Sequence, residues 1–110
     1  MINQIRIYQI FPDSAQAFHD RFRDHASRIM ARHGFRIQAM WETGEGDDLA
    51  FVYLLTWQDE AEMQAAWASF MADEEWAEIK RNTKEKPIVG SITDLPLRPT
   101  PYSAAIGGDQ

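Results

Sequence analysis

Leu49-Ala50-Phe51-Val52-Tyr53-Leu54-Leu55 is apolar at consecutive positions, not at alternate ones. Neighbouring side chains of an extended chain point to opposite faces, so a strand of this kind must be covered on both. Working outward, residues 49–57 read as one strand and residues 35–43 as the strand before it. Between them Gly44-Glu45-Gly46-Asp47-Asp48 has hairpin composition. Residues 3–11 form an earlier strand, with Ile5, Ile7 and Gln9 on one face and Arg6, Tyr8 and Ile10 on the other, ended by Pro12.

Two helical stretches separate the strands. Asp13-Ser14-Ala15-Gln16 pairs a short polar acceptor with a glutamine three residues on, the pattern of a helix start. Phe18, Phe22, His25, Ala26, Ile29 and Met30 then form one stripe at three- and four-residue spacing, and His33-Gly34 closes a helix of about five turns. Asp59 to Glu62 repeats the capping pattern before a stripe of Met63, Ala66, Trp67, Phe70 and Met71. Asp73 caps a further helix with Trp76, Ile79 and Thr83 inward. Acidic residues open it, and Lys80, Arg81, Lys84 and Lys86 close it before Pro87, which complements the helix dipole. Residues 88–97 read as a last strand, weakened by Gly90 and Pro96. The result is an α+β chain of order βαββαβ with a four-stranded antiparallel sheet. Residues 1–98 are expected to form one domain and residues 99–110 an extended tail.

Composition narrows the function. With 17 acidic against 11 basic residues, the net charge is −6. The field therefore repels nucleic-acid backbones, and the one basic run is explained as a helix end. No stretch approaches the ~20 apolar residues of a membrane helix, and the first residues lack the pattern of a secretory signal. The absence of cysteine excludes disulfides and thiolate chemistry and fits a reducing compartment. The expected location is the cytoplasm. Three histidines at positions 19, 25 and 33 include no i, i+4 pair, so no metal site and no cofactor is expected.

Two helical regions can cover only one face of such a sheet. The other face would leave Ile5, Ile7 and parts of the central strands in water, whereas monomers rarely expose large apolar patches. At ~25 cal/mol per Å², an apolar face of about 800 Å² per partner drives association. A homodimer through the sheet face is the economical solution.

Several strings, in order, resemble the NIPSNAP family. They are Ile5-Arg6-Ile7-Tyr8; Phe18, Phe22 and His25 followed by Arg32-His33-Gly34; Trp41; Asp73-Glu74-Glu75-Trp76; and Leu97-Arg98-Pro99-Thr100-Pro101-Tyr102-Ser103. Tyr53 departs from the pattern, standing where the family often has histidine. The resemblance implies a ferredoxin-like fold, a dimeric α/β barrel and no generally established reaction. The wider group includes cofactor-independent and heme-degrading monooxygenases, with a pocket between sheet and helices. Residues 76–86 contain no histidine to hold a heme iron, which disfavours heme degradation.

Five residues are candidates for a site. His25 falls on the apolar stripe by spacing. Resemblance to the heme-degrading relatives puts Arg6 and Tyr8 on the helix-facing side of the first strand, converging with Trp67 and Tyr53. A guanidinium, a phenol, an imidazole and an indole around a hollow suit a small aromatic or anionic ligand. His25 would then be a general base, Arg6 the anion partner and Tyr8 a donor. Alternatively His25 is a hydrogen-bonded core histidine and Arg6 pairs with a carboxylate. His19 reads as solvent-facing and His33 as a helix-end cation. Two functions stay open: a small-molecule or partner-binding module without turnover, and a cofactor-independent enzyme acting on an aromatic or enolisable substrate.

Overall fold

Strands β1 (Ile2–Ile10), β2 (Ile37–Thr43), β3 (Ala50–Trp57) and β4 (Val89–Leu97) form one antiparallel sheet in the order β2-β3-β1-β4. The computed structural model describes residues 1–82 and 88–104. Three helices accompany the sheet. Helix α1 runs through Ala15–Arg21, a π-helical turn at Phe22–Ala26, and Ser27–Arg32; α2 is Glu60–Met71 and α3 is Glu74–Asn82. This is an α+β, ferredoxin-like arrangement. Thr83, Lys84, Lys86 and Pro87, read above as part of a helix end, lie outside the described residues, as does the tail from 105 to 110.

Register assigns the faces. β1 pairs with β3 as Gln4↔Leu55, Arg6↔Tyr53 and Tyr8↔Phe51, and with β4 as Arg6↔Asp94 and Tyr8↔Ile92. These residues share the helix-facing side. There Phe18, Phe22, Ala26, Ile29, Phe51, Tyr53, Leu55, Trp57 and Phe70 form the buried core. On the opposite side lie the apolar pairs Ile5↔Leu54, Ile7↔Val52, Trp41↔Val52 and Ile5↔Leu95, outside the core that the described helices build. Trp41 is 51% exposed there and so does not join the other three tryptophans in the interior. β4 is solvated from Ser91 onward because it is an edge strand, which also accommodates Pro96. Gly90 does more than weaken this strand. A Cβ there would come within 2.6 Å of Gln9 Oε1, beside the irregularity in β1·β4 pairing.

The helix ends follow the chemistry of their caps. Asp59 accepts from Glu62 N–H at 2.8 Å, while the Glu62 carboxylate accepts from Gln58 N–H at 2.7 Å. Asp73 accepts from Trp76 N–H at 3.0 Å and begins α3. Gly34, at φ +89°, takes the left-handed conformation that ends α1. The start of α1 departs from the sequence reading. Pro12–Ser14 form a 3₁₀ turn, and the Ser14 hydroxyl makes no capping bond and is buried without a partner among the described residues. Met71, placed on the inner stripe by spacing, is 55% exposed, because the chain turns at Ala72–Asp73 and α3 takes over coverage with buried Trp76.

The residues that carry the family resemblance meet in space. Arg32 Nη2 donates to Asp73 at 2.7 Å and Arg32 Nη1 to Glu75 at 3.1 Å, and Arg28 joins Glu75 at 2.8 Å. His33 stands between Ser69 Oγ at 2.6 Å and Asp73 Oδ2 at 2.7 Å. The end of α1 is thereby clamped to the start of α3. Bonds from His33, then Arg32 and the Trp76 N–H, hold the Asp73 carboxyl well below the usual carboxylate range.

Candidate functional site

Between the sheet and the helices lies a cavity of about 210 Å³. Arg6 and Tyr8 form its floor on β1. Phe18, Arg21, Phe22, Ala26 and Met30 wall it from α1. Trp67, Phe70, Met71, Trp76 and Lys80 wall it from α2 and α3, and Val89 and Ile92 from β4 and its approach. Three of these side chains are cationic. Among the described residues no Asp or Glu lines the cavity, although the chain as a whole has an acidic excess.

The floor is a hydrogen-bonded row. Arg6 Nη2 donates to the Tyr8 hydroxyl at 3.3 Å, and the Tyr8 and Tyr53 hydroxyls share a buried bond of 2.6 Å. Burial, followed by the neighbouring Tyr8, pushes the Tyr53 phenol far above its ordinary value despite the opposing pull of Arg6. Tyr53 therefore supports Tyr8 from behind and does not itself line the cavity. Burial opposes the charge on Arg6, but its contacts with the Tyr8 and Tyr53 hydroxyls outweigh that, so its pKa is raised. Arg21 is also shifted by burial, downward, and its guanidinium lies 5.4 Å from the Trp76 ring. An arginine remains charged after such a shift.

Gln4, which sequence reasoning passed over, organises the other end. It is 1% exposed. Its Oε1 accepts from Trp57 Nε1–H and Trp67 Nε1–H, each at 2.9 Å, and its Nε2 donates to Asp94 Oδ1 at 2.8 Å. Trp67 is thus fixed with its ring 4.3 Å from the Arg6 guanidinium carbon. Asp94 Oδ2 in turn accepts from Arg6 Nη1 at 3.2 Å. The available signal was the alternation of β1, which puts Gln4 on the same face as Arg6 and Tyr8. A buried polar side chain on that face needs partners.

The structure brings Arg6, Tyr8 and Trp67 to the cavity, with Tyr53 behind them. His25 is not among them. It is half-buried beside a separate surface hollow with Ala17, Asp20, Asp24 and Ile79, and its Nδ1 lies 3.4 Å from Arg28 Nη2. The π-helical turn accounts for this. Across the wider turn at Phe22–Ala26, Phe22 and Ala26 stay on the inner stripe, at 5% and 1% exposure, while His25 is rotated off it. His19 is bonded to Glu42 at 2.7 Å. No cluster of three or more His, Asp or Glu side chains suited to a metal occurs among the described residues. Nor does any described helix have the length and apolarity to cross a membrane.

Fold and cavity together define a ferredoxin-like α+β protein with a basic, aromatic-walled hollow between its layers. The chain belongs to the NIPSNAP family, whose model matches residues 3–104. It is similar to a NIPSNAP-like domain protein from Burkholderia xenovorans, at 24% identity and a TM-score of 0.81 over 96% of this chain and 90% of that one. A NIPSNAP family protein from Agrobacterium tumefaciens aligns at 18% identity with a TM-score of 0.80, covering 93% and 95%. A monooxygenase of Streptomyces coelicolor, in complex with the ligand nanaomycin D, is more distant, with 15% identity and a TM-score of 0.59 over 97% and 92%. It shares the fold. No curated protein matches the chain.

Proposed function

We infer that this NIPSNAP domain works as a cytoplasmic homodimer that binds a small anion with an aromatic or apolar body in the cavity between sheet and helices. The observation that carries this reading is the charge of the lining. Arg6, Arg21 and Lys80 border the hollow, and its lining among the described residues includes no Asp or Glu, inside a chain of net charge −6. Arg6 is the anion partner and Tyr8 a hydroxyl donor, while Trp67 and the phenylalanines take the ring or short alkyl body. The volume is below the ~300–1,000 Å³ of drug-sized sites, which favours a compact acid.

The uncovered sheet face supports the dimer. Ile5, Ile7, Trp41, Val52, Leu54 and Leu95 share that face across all four strands, with Trp41 and Leu95 exposed, Ile5, Ile7 and Val52 half-buried and Leu54 buried. The alternative enzymatic reading, a cofactor-independent monooxygenase or isomerase with His25 as general base, has less support, because His25 lies outside this cavity.

Native mass spectrometry tests both parts. The expected spectrum shows twice the subunit mass, and small aromatic acids add to it where the corresponding primary amides do not. A single subunit at micromolar concentration contradicts the dimer. Equal uptake of acids and amides, or none of either, contradicts the anion site.

A further inference from the structure

Arg6 is under-used as a donor. A guanidinium offers five N–H groups in a planar fork that matches a carboxylate. Here Nη2 reaches Tyr8 at 3.3 Å and Nη1 reaches Asp94 at 3.2 Å, both longer than the ~2.7–2.9 Å of a tight charge-assisted bond. Nε is buried with no partner among the described residues.

Asp94, the partner of Arg6, is built to let go. It sits directly opposite Arg6 on the edge strand β4 and does not line the cavity. Its side chain is 44% exposed, against 16% for Arg6. Its second oxygen is held by Gln4 Nε2 at 2.8 Å, so on losing Arg6 the carboxylate would keep one hydrogen bond and gain water. The group giving up the contact is the hydrated one.

On the reading that the cavity takes an anion, we propose that Asp94 is its specificity-determining residue, a resident counter-ion on Arg6 that the carboxylate of a compact aryl or alkyl acid must displace. A carboxylate entering from the cavity side exchanges one anion for another on Arg6 and adds burial of its apolar body. A neutral analogue cannot replace the Asp94 charge and is excluded from Arg6. A simple inorganic anion has no apolar body to offset the loss of the Asp94 pair. The selected class is therefore acid plus ring or short chain.

Calorimetric titration of the whole protein with 2-naphthoate and 2-naphthamide tests this in the parent, Asp94→Asn and Asp94→Ser. Both variants can still accept from Gln4. The expected result is naphthoate binding tightened on the order of tenfold in both variants, since one opposing charge is gone, with naphthamide unchanged. Naphthoate binding that is present in the parent but unchanged or weaker in the variants overturns the Asp94 proposal and leaves the cavity reading standing. Equal tightening of acid and amide also overturns it, because that would report space and not charge. Failure of parent and variants alike to take naphthoate overturns both.

Discussion

The Arg6 guanidinium carbon lies 4.3 Å from the centroid of the Trp67 ring, and the indole is locked in that position by its N–H bond to Gln4. A cation over an aromatic face is held electrostatically, and more strongly when partly desolvated. Trp67→Leu keeps an apolar wall but removes that platform. Affinity for a small aromatic acid should fall by about three- to tenfold, measured by fluorescence or calorimetric titration. Undiminished affinity would show that Trp67 only fills space.

Gln4→Met should be among the costly single substitutions in this chain. It keeps side-chain length but withdraws the acceptor from two indole N–H groups, one on buried Trp57 and one on Trp67, and the donor from Asp94. Leaving buried donors unmet costs about 1–3 kcal/mol each, so urea unfolding should show a loss of about 2–4 kcal/mol with little change in slope. A loss below about 0.5 kcal/mol would mean that water replaces the amide.

Tyr53 gives the fold a sensitivity to alkali. Its phenol is fully buried and its pKa is raised, first by burial and then by Tyr8. The folded state thus holds this proton more tightly than the unfolded chain, whose tyrosine ionises near pH 10. The stabilisation is complete below about pH 10 and is lost as pH rises beyond it. Thermal melts between pH 8 and 11 should fall more steeply for the parent than for Tyr53→Phe. At neutral pH that variant should lose about 1 kcal/mol for the broken Tyr8 bond.

The α1–α3 clamp responds to acid. Asp73 is held below the ordinary carboxylate range by His33, Arg32 and the Trp76 N–H. A depressed pKa contributes stability above the unfolded value near 3.9, and that contribution is lost as pH falls through the folded value. Asp73→Asn should melt lower than the parent at pH 7, and the gap should narrow below about pH 4. A gap independent of pH would mean that the cap bond to Trp76, not the charge, is what the position supplies.

The succession of strands and helices along the chain, the caps at Asp59 and Asp73, and the sharing of one face by Arg6 and Tyr8 were legible because each follows from local chemistry: alternation, short acceptors, glycine placement. His25 was misplaced because its position depends on one widened turn, and regular three- and four-residue spacing contains no sign of it. Met71 was misplaced because the helix ends where the chain turns into α3, which moves its last residue to the surface. Gln4 was missed for a different reason. Alternation puts it on the face of Arg6 and Tyr8, but the two indoles that need its oxygen come from β3 and α2, some fifty to sixty residues away in sequence. Local pattern finds the elements, and only tertiary contact finds what a buried amide is for.

Anion binding in this apolar hollow depends on charge delivered chiefly by Arg6. Titration of 2-naphthoate into the parent and into Arg6→Gln, checked as folded by circular dichroism, measures it directly. Saturable binding in the parent that weakens at least about tenfold in the variant is the predicted result. Equal affinity in the two proteins would contradict it.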